Sequence, residues 1–276
     1  MSKIGVYIVF LSICLTLVSS GCGTLPFNID TSALLRAGGA QLPVGPEEEA
    51  SFGGAVAVMI VQNYGGIEPN TAWNEYVNLV GQGVAMHSTR PNLAYHFAIL
   101  ASDDVNALSA PGGYVFVTRG ALKACQSEAE LAAILAHEVG HIAAGHATRI
   151  LQNLKSAAAA VEGVPTGGAT GEVFKGILDK FLSDYLAHGL PADDEFEADR
   201  LGTQVATRVG WRSTGLQAFL RRMGEKPNKS SHFFATHPDT TERVKRLGAV
   251  VTSLGAERGV DLRERFAASM APLAVP

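Results

Sequence analysis

Two histidines four residues apart, with a glutamate directly after the first, can hold a metal ion and move a proton beside it. The chain carries this arrangement as His137-Glu138-Val139-Gly140-His141. On a 3.6-residue helix, positions i and i+4 lie about 40° apart, so both imidazoles can reach one ion from the same face. Glu138 then points beside the ion, where its carboxylate can take a proton from an activated water. The pattern points to metal-assisted hydrolysis, provided that the segment is a helix.

The flanking residues support a helix. Ser127 and Glu130 make a capping box, in which each side chain satisfies an orphan amide of the first turn. Leu131, Ile134, Leu135 and Ile142 recur at helical spacing, and no proline falls between Ser127 and Val164. The helix is expected to run past His146 to about Val161. A helix with two core or surface histidines is the plainer reading, and a third ligand separates the two.

Catalytic zinc takes three protein ligands and keeps one position open. A third ligand on the same helix would need Gly at 144 and His at 147, and the chain has Ala144 and Ala147. His146 lies about 140° around a continuous helix from His141, off the metal face. A carboxylate on a later helix is the remaining common solution. The run Asp193-Asp-Glu195-Phe-Glu-Ala-Asp199 opens such a helix, and its acidity also suits the helix dipole. Glu195 and Asp199 share one face, so one can bind the metal while the other orients a ligand histidine. Glu195 is the better placed ligand.

The elements that must position these groups follow from the rest of the chain. It has 276 residues, 47% hydrophobic and 17% charged, with a net charge of −4, which suits one globular domain. No Lys/Arg run offers a footprint for nucleic acid, and that class of partner is excluded. Lys3 and the apolar run Ile4 to Val18 read as a secretion signal, too short for a comfortable membrane span. Ser19-Ser20-Gly21-Cys22 resembles a bacterial lipobox, with Ser19 where Leu is usual. Cys22 is therefore expected to carry a lipid, simple cleavage being the alternative. The expected division is 1–21 signal, 22–46 lipidated cysteine and tether, 47–255 folded domain and 256–276 a C-terminal segment. Cys125 reads as a small buried residue.

Within the domain, helices are expected from Glu47, over Asn70 to His87, over Glu172 to Ala187, from Pro191, over Gly215 to Met223, and after a cap at Asp239. Residues around Leu93–Ile99, Val105–Leu108 and Tyr114–Thr118 alternate or are β-branched and read as three strands, with turns at Asp103-Asp104 and Pro111-Gly112-Gly113. They predict an antiparallel meander. Gly163 to Gly171 lacks the Gly-Lys-Ser/Thr ending of a phosphate loop and reads as a loop near the site. The expected fold class is α+β, predominantly α-helical, with a small antiparallel sheet beside the metal helix.

Four segments together carry a family resemblance. Asn106-Ala107 leading to Pro111-Gly-Gly113, His137-Glu-Val-Gly-His141, Glu195-Phe-Glu-Ala-Asp199, and Thr236-His-Pro238 with Arg243 resemble the gluzincin zinc metallopeptidases related to the CAAX prenyl protease, HtpX and BepA. The resemblance spans about Glu47 to Val251 and implies a zincin-like, minimal gluzincin fold. It implies one Zn2+ per chain bound by His137, His141 and Glu195, with Glu138 as general base and then acid and Asp199 orienting a ligand histidine. His237 would approach the metal, either to stabilise the oxyanion or to fill the open position at rest. Arg243 would fix substrate or His237, and Asn106 and Ala107 would lie on an edge strand that pairs with the substrate backbone. Leu108 and Pro191-Ala-Asp depart from the aromatic and arginine common in the family, so pocket shape transfers least.

What the resemblance implies is a zinc-dependent endopeptidase of the bacterial cell envelope that cleaves unfolded or misassembled proteins. It would face the periplasm and be held to a membrane by its N-terminal lipid. Gly23 and Thr24 lack the aspartate of inner-membrane retention, which points to the outer membrane. The rival reading is a chaperone or assembly factor that holds client chains on the edge strand with little proteolysis. No constellation for capturing a chain terminus, as an exopeptidase needs, is visible.

Overall fold

The computed structural model describes residues 42–162, 171–225, 236–237, 240–255 and 258–271. The signal, Cys22, most of the tether, the Gly-rich stretch after Glu162, Pro238 and the expected cap Asp239 lie outside them. Helix α1, Pro46–Asn63, starts on a proline in its first turn and three glutamates that complement its dipole. Glu49 among them is buried and holds Arg90 through two bonds of 2.9 and 3.0 Å. Helix α2, Thr71–Ala85, is capped by Asn70, whose side chain accepts from the Trp73 amide.

Strands β1 (His96–Leu100), β2 (Ala107–Ala110) and β3 (Tyr114–Thr118) form one sheet in the order β1-β3-β2. β2 and β3 pair antiparallel across Pro111-Gly112-Gly113, but β1 pairs parallel to β3 on its other side. The sheet is therefore mixed, and the expected antiparallel meander is corrected. The reason lies in Asp103-Asp104. Instead of closing a tight turn between β1 and β2, Asp103 takes two 2.8 Å bonds from Arg119 at the start of α3, Arg119–Ala124. Thr118 Oγ1 also donates to the Asp104 carbonyl at 2.5 Å. The connection is thus drawn across the end of β3 and leaves room for β3 between its neighbours.

Both sheet faces are covered. Val115 and Val117 face the core with the Glu128–Ala144 helix, while Phe116, Leu108 and Leu100 pack with α1 and the later helices. A strand buried on both faces reads as the continuous apolar run found in Tyr114–Thr118.

Helix α4, Glu128–Ala144, runs through the centre, and Glu128 through Ile142 are all buried. Ser127 accepts from the Glu130 amide, as expected, but Glu130 turns back to the amide of Gln126. The expected continuation past His146 is corrected. Gly145 adopts a left-handed conformation (φ 71°), closes α4, and a separate helix α5 spans His146–Glu162. Then follow α6 (Gly171–His188), α7 (Ala192–Val209), α8 (Gly215–Gly224), α9 (Thr240–Leu254) and α10 (Arg263–Met270). The segment after 255 joins the same core through Phe266 and an Arg265–Glu128 ion pair. Among the described residues, no helix is long and apolar enough to cross a membrane.

The contact between α4 and α7 sets the site. A Cβ on Gly202 would lie 2.7 Å from the His137 backbone nitrogen, and one on Gly140 would lie 3.0 Å from the Ala198 carbonyl oxygen. Glycine at both positions lets the two backbones touch, which brings the acidic start of α7 against the histidines of α4.

Candidate metal centre

His137, His141, Glu195 and His237 each offer one ligand atom, and these atoms lie within 4.8 Å of one another. All four residues are buried. The two histidines of α4 face each other through Nε2 at 3.0 Å, as one helical face requires. Glu195, on the first turn of α7, sets Oε1 3.3 Å from His141 Nε2 and Oε2 3.5 Å from His137 Nε2. His237 sets Nδ1 3.0 Å from Glu195 Oε2.

These contacts do not balance as hydrogen bonds alone. Oε1 of Glu195 is buried without a hydrogen-bond partner. His237 Nε2 lies 3.1 Å from the Ala107 carbonyl, which can only accept, so Nε2 carries a proton there. Nδ1 faces Glu195 Oε2, and that contact is attractive only with a proton or a cation at Nδ1. A cation among the four groups resolves every such conflict. Zinc at about 2.0–2.2 Å from imidazole nitrogens and a carboxylate oxygen would set its ligands about 3.3 Å apart, close to the spacings here. The donor set therefore fits zinc.

Electrostatics agree. Burial alone would raise the pKa of Glu195, but His237, Arg243 and His141 outweigh it and hold the group well below the usual carboxylate range. Burial also opposes a charge on His137, yet the facing carboxylates of Asp199 and Glu195 prevail and hold its pKa up at about 9. His141 goes the other way: burial, then the neighbouring charge on His137, depress it.

The remaining expected residues fall as follows. Asp199 Oδ1 lies 2.9 Å from His137 Nδ1, the ring atom facing away from the cluster. Its own pKa is about 2, because Arg243 outweighs the effect of burial. Arg243, expected to reach substrate or His237, is instead 1% exposed. It binds Asp199 through bonds of 2.9 and 2.7 Å and pairs with Glu195 at 2.9 Å. Glu138 Oε1 is buried without a hydrogen-bond partner, 3.6 Å from His237 Nε2. Ala107 is on the edge strand β2, as expected. Asn106 is not: it precedes the strand, fully buried, and bonds Tyr64 and Thr236 through its side chain.

Three neighbours were not anticipated. Ser109 Oγ donates to Glu138 Oε2 at 2.8 Å, and the Ser109 amide donates to the Tyr185 hydroxyl at 3.3 Å. Period-two alternation places Ser109 on the same edge as Ala107, so the sequence held a signal for it. Tyr185, from α6, had none. His146 packs on the outer side of His141, Nδ1 to Nδ1 at 2.8 Å, where a continuous helix would not bring it.

The chain resembles known proteins across this region. It is 25% identical over 178 residues to the beta-barrel assembly-enhancing protease of Escherichia coli (strain K12), covering 59% of this chain and 36% of that protein. It is 27% identical over 176 residues to the mitochondrial metalloendopeptidase OMA1 of Schizosaccharomyces pombe, covering 62% and 51%. It is 25% identical over 154 residues to the metalloprotease LoiP of Escherichia coli (strain K12), covering 55% and 61%. The chain thus spans roughly a third to three fifths of the length of these relatives. Residues 71–251 match the model of peptidase family M48, and with the buried His137, His141 and Glu195 centre inside that match the chain belongs to this family.

Proposed function

We propose that the protein is a zinc-dependent endopeptidase of the bacterial cell envelope, held to a membrane through Cys22, that cleaves unfolded or misassembled proteins. The observation that carries the reading is Glu138. Its free Oε1 points into a cluster of three histidine nitrogens and a carboxylate, all buried. His137, His141 and Glu195 would hold zinc, which when bound would supply Lewis acidity toward water and the scissile carbonyl. Glu138 takes the proton from the attacking water and gives it to the departing amine. Ser109 holds the other carboxylate oxygen and so fixes the direction in which Oε1 points.

Asp199, clamped by Arg243, keeps the His137 proton on Nδ1 and its Nε2 lone pair toward the centre. The Ala107 carbonyl and the Ser109 amide face outward from β2, one accepting and one donating, as a substrate strand requires. His237 and Tyr185 hold those two groups here, so a bound chain takes their place. The names of the assembly-enhancing relatives favour an envelope protein client.

Turnover of an unfolded model protein by zinc-loaded wild type and Glu138→Gln tests the reading. A loss of about 10²–10⁴-fold is expected; equal turnover refutes it. One observation favours the chaperone alternative: His237 sits in the cluster as a fourth donor and covers the Ala107 carbonyl. If His237 stabilises the oxyanion, His237→Ala lowers kcat. If it closes the centre, the same variant raises the initial rate, and a wild type without turnover that still binds unfolded chains supports the chaperone.

A further inference from the structure

The two histidines of α4 are backed by different groups. His137 meets the buried carboxylate of Asp199 directly. His141 meets a second imidazole. Because Gly145 ends α4 and α5 starts at His146, the His146 ring swings back against His141, with ring centroids 5.0 Å apart and planes at 72°. His146 is completely buried. Its Nδ1 lies 2.8 Å from His141 Nδ1, and its Nε2 lies 3.4 Å from Glu197 Oε2. Glu197 is on α7, its side chain 47% exposed. Asp194 stands further off, at 3.9 Å from the same Nε2, and is held by Arg149.

From this geometry we infer that His146 is a positioning residue for the metal ligand His141, through a chain that runs His141 to His146 to Glu197 and ends at the surface. The inference rests on the metal reading of the centre. Proton bookkeeping carries it. If His141 turns its Nε2 lone pair to the centre, its single proton is on Nδ1. That proton can only be donated to His146 Nδ1, the atom 2.8 Å away, which must then carry no proton. The His146 proton is forced onto Nε2, where Glu197 accepts it. One proton per ring gives every contact one donor and one acceptor, and the reverse order would aim the His141 Nε2 proton into the centre.

The choice of an imidazole rather than a carboxylate behind His141 has a physical reason. Glu138, Glu195 and Asp199 already stand at or beside the centre, facing the buried guanidinium of Arg243. A neutral acceptor fixes the ring of His141 without a fourth buried negative charge. It also leaves the carboxylate end of the chain at the surface, where solvation is cheap.

The test uses the full chain. Zinc affinity is measured by competition with a chromogenic chelator in wild type, His146→Leu and His146→Asn. The cobalt-loaded proteins are compared by visible absorption. Leu removes the acceptor, and Asn restores an oxygen near the position of Nδ1. His146→Leu is expected to bind zinc roughly 10–100-fold more weakly with a shifted cobalt spectrum, and His146→Asn to recover most of both. Independently of any variant's folding, ¹⁵N chemical shifts of the zinc-loaded wild type report the tautomers. Nδ1–H on His141 and Nε2–H on His146 are expected. Equal zinc affinity in His146→Leu, or an Nδ1–H tautomer on His146, overturns the inference while leaving the metal reading intact. A wild type that binds neither zinc nor cobalt overturns both.

Discussion

Gly202→Ala places a methyl group where the backbones of α4 and α7 meet. The new Cβ would lie 2.7 Å from the His137 nitrogen and 2.8 Å from the Ala136 carbonyl carbon, with no flexible side chain to yield. Reaching ordinary van der Waals contact at about 3.5 Å requires the helices to part by roughly 0.5–1 Å. Overpacking of this kind costs about 1–3 kcal/mol. Replacing a helical glycine by alanine returns about 0.5–1 kcal/mol. The net loss is about 0–2.5 kcal/mol, or a fall in Tm of up to about 10 °C for a domain of this size. The second consequence is chemical. Glu195 lies seven residues earlier on α7, so it retreats from His137 and His141 together with the helix. Metal–ligand distances tolerate only about 0.2 Å, so zinc affinity should fall at least about tenfold. Thermal unfolding in chelator reads the first effect, and chelator competition reads the second. Gly176→Ala is the control: it sits in α6 with nothing within 4 Å of a new Cβ, and should raise Tm by a few degrees, in line with about 0.5–1 kcal/mol. A Gly202→Ala protein as stable as wild type, with unchanged zinc affinity, would refute the account of the α4–α7 contact.

Three further outcomes follow from the charges. Because the carboxylates of Asp199 and Glu195 keep the pKa of His137 at about 9 against burial, zinc must displace a proton there at lower pH. Affinity should therefore rise about tenfold per pH unit and level off near 9, with about one proton released in calorimetry across two buffers; a pH-independent affinity contradicts this. Glu128 is buried among Arg265, Trp211 and Tyr76, whose bonds outweigh burial and keep its carboxyl below the usual 4.5. A depressed folded pKa means that its stabilisation is complete above about 4.5 and fades as pH falls. Glu128→Gln should cost about 2–3 kcal/mol at pH 7 and much less near pH 3, and an equal cost at both would contradict the sign. Arg243→Met leaves Asp199 and Glu195 buried without their cation, and should lose about 3–5 kcal/mol in urea unfolding. Saturating zinc should recover more stability in that variant than in wild type.

The sequence held most of the centre because helical spacing is rigid. Once Ser127 fixes the start of α4, His137 and His141 must share a face, and Glu195 and Asp199 must do so on α7. What spacing could not convey is what a single residue does to chain direction. Gly145 looks like any of the small residues around it, yet its left-handed conformation ends α4 and turns His146 back against His141. The sheet order was hidden for a similar reason. Asp103-Asp104 has the composition of a turn, and only the approach of Arg119 from beyond β3 recruits it elsewhere. Arg243 came with the family resemblance as a group fixing substrate or His237; its burial follows from two carboxylates on α7 that no local pattern links to α9.

These facts bear on how the centre keeps its geometry. α4 supplies two ligands and the base, but it cannot place a third ligand on the open side of the same ion, so a second helix has to come close. That closeness depends on Gly140 and Gly202, which contribute no chemistry of their own. It also puts Glu195 and Asp199 in an apolar contact, where each carboxylate costs several kcal/mol unless compensated. Arg243 from α9 compensates both, so α9 is tied to the centre through its guanidinium. The Thr236-His237 segment lies just ahead of α9 in the chain. Arg243 of α9 and His237, which is held on the edge of β2, share one carboxylate oxygen: Glu195 Oε2 meets both.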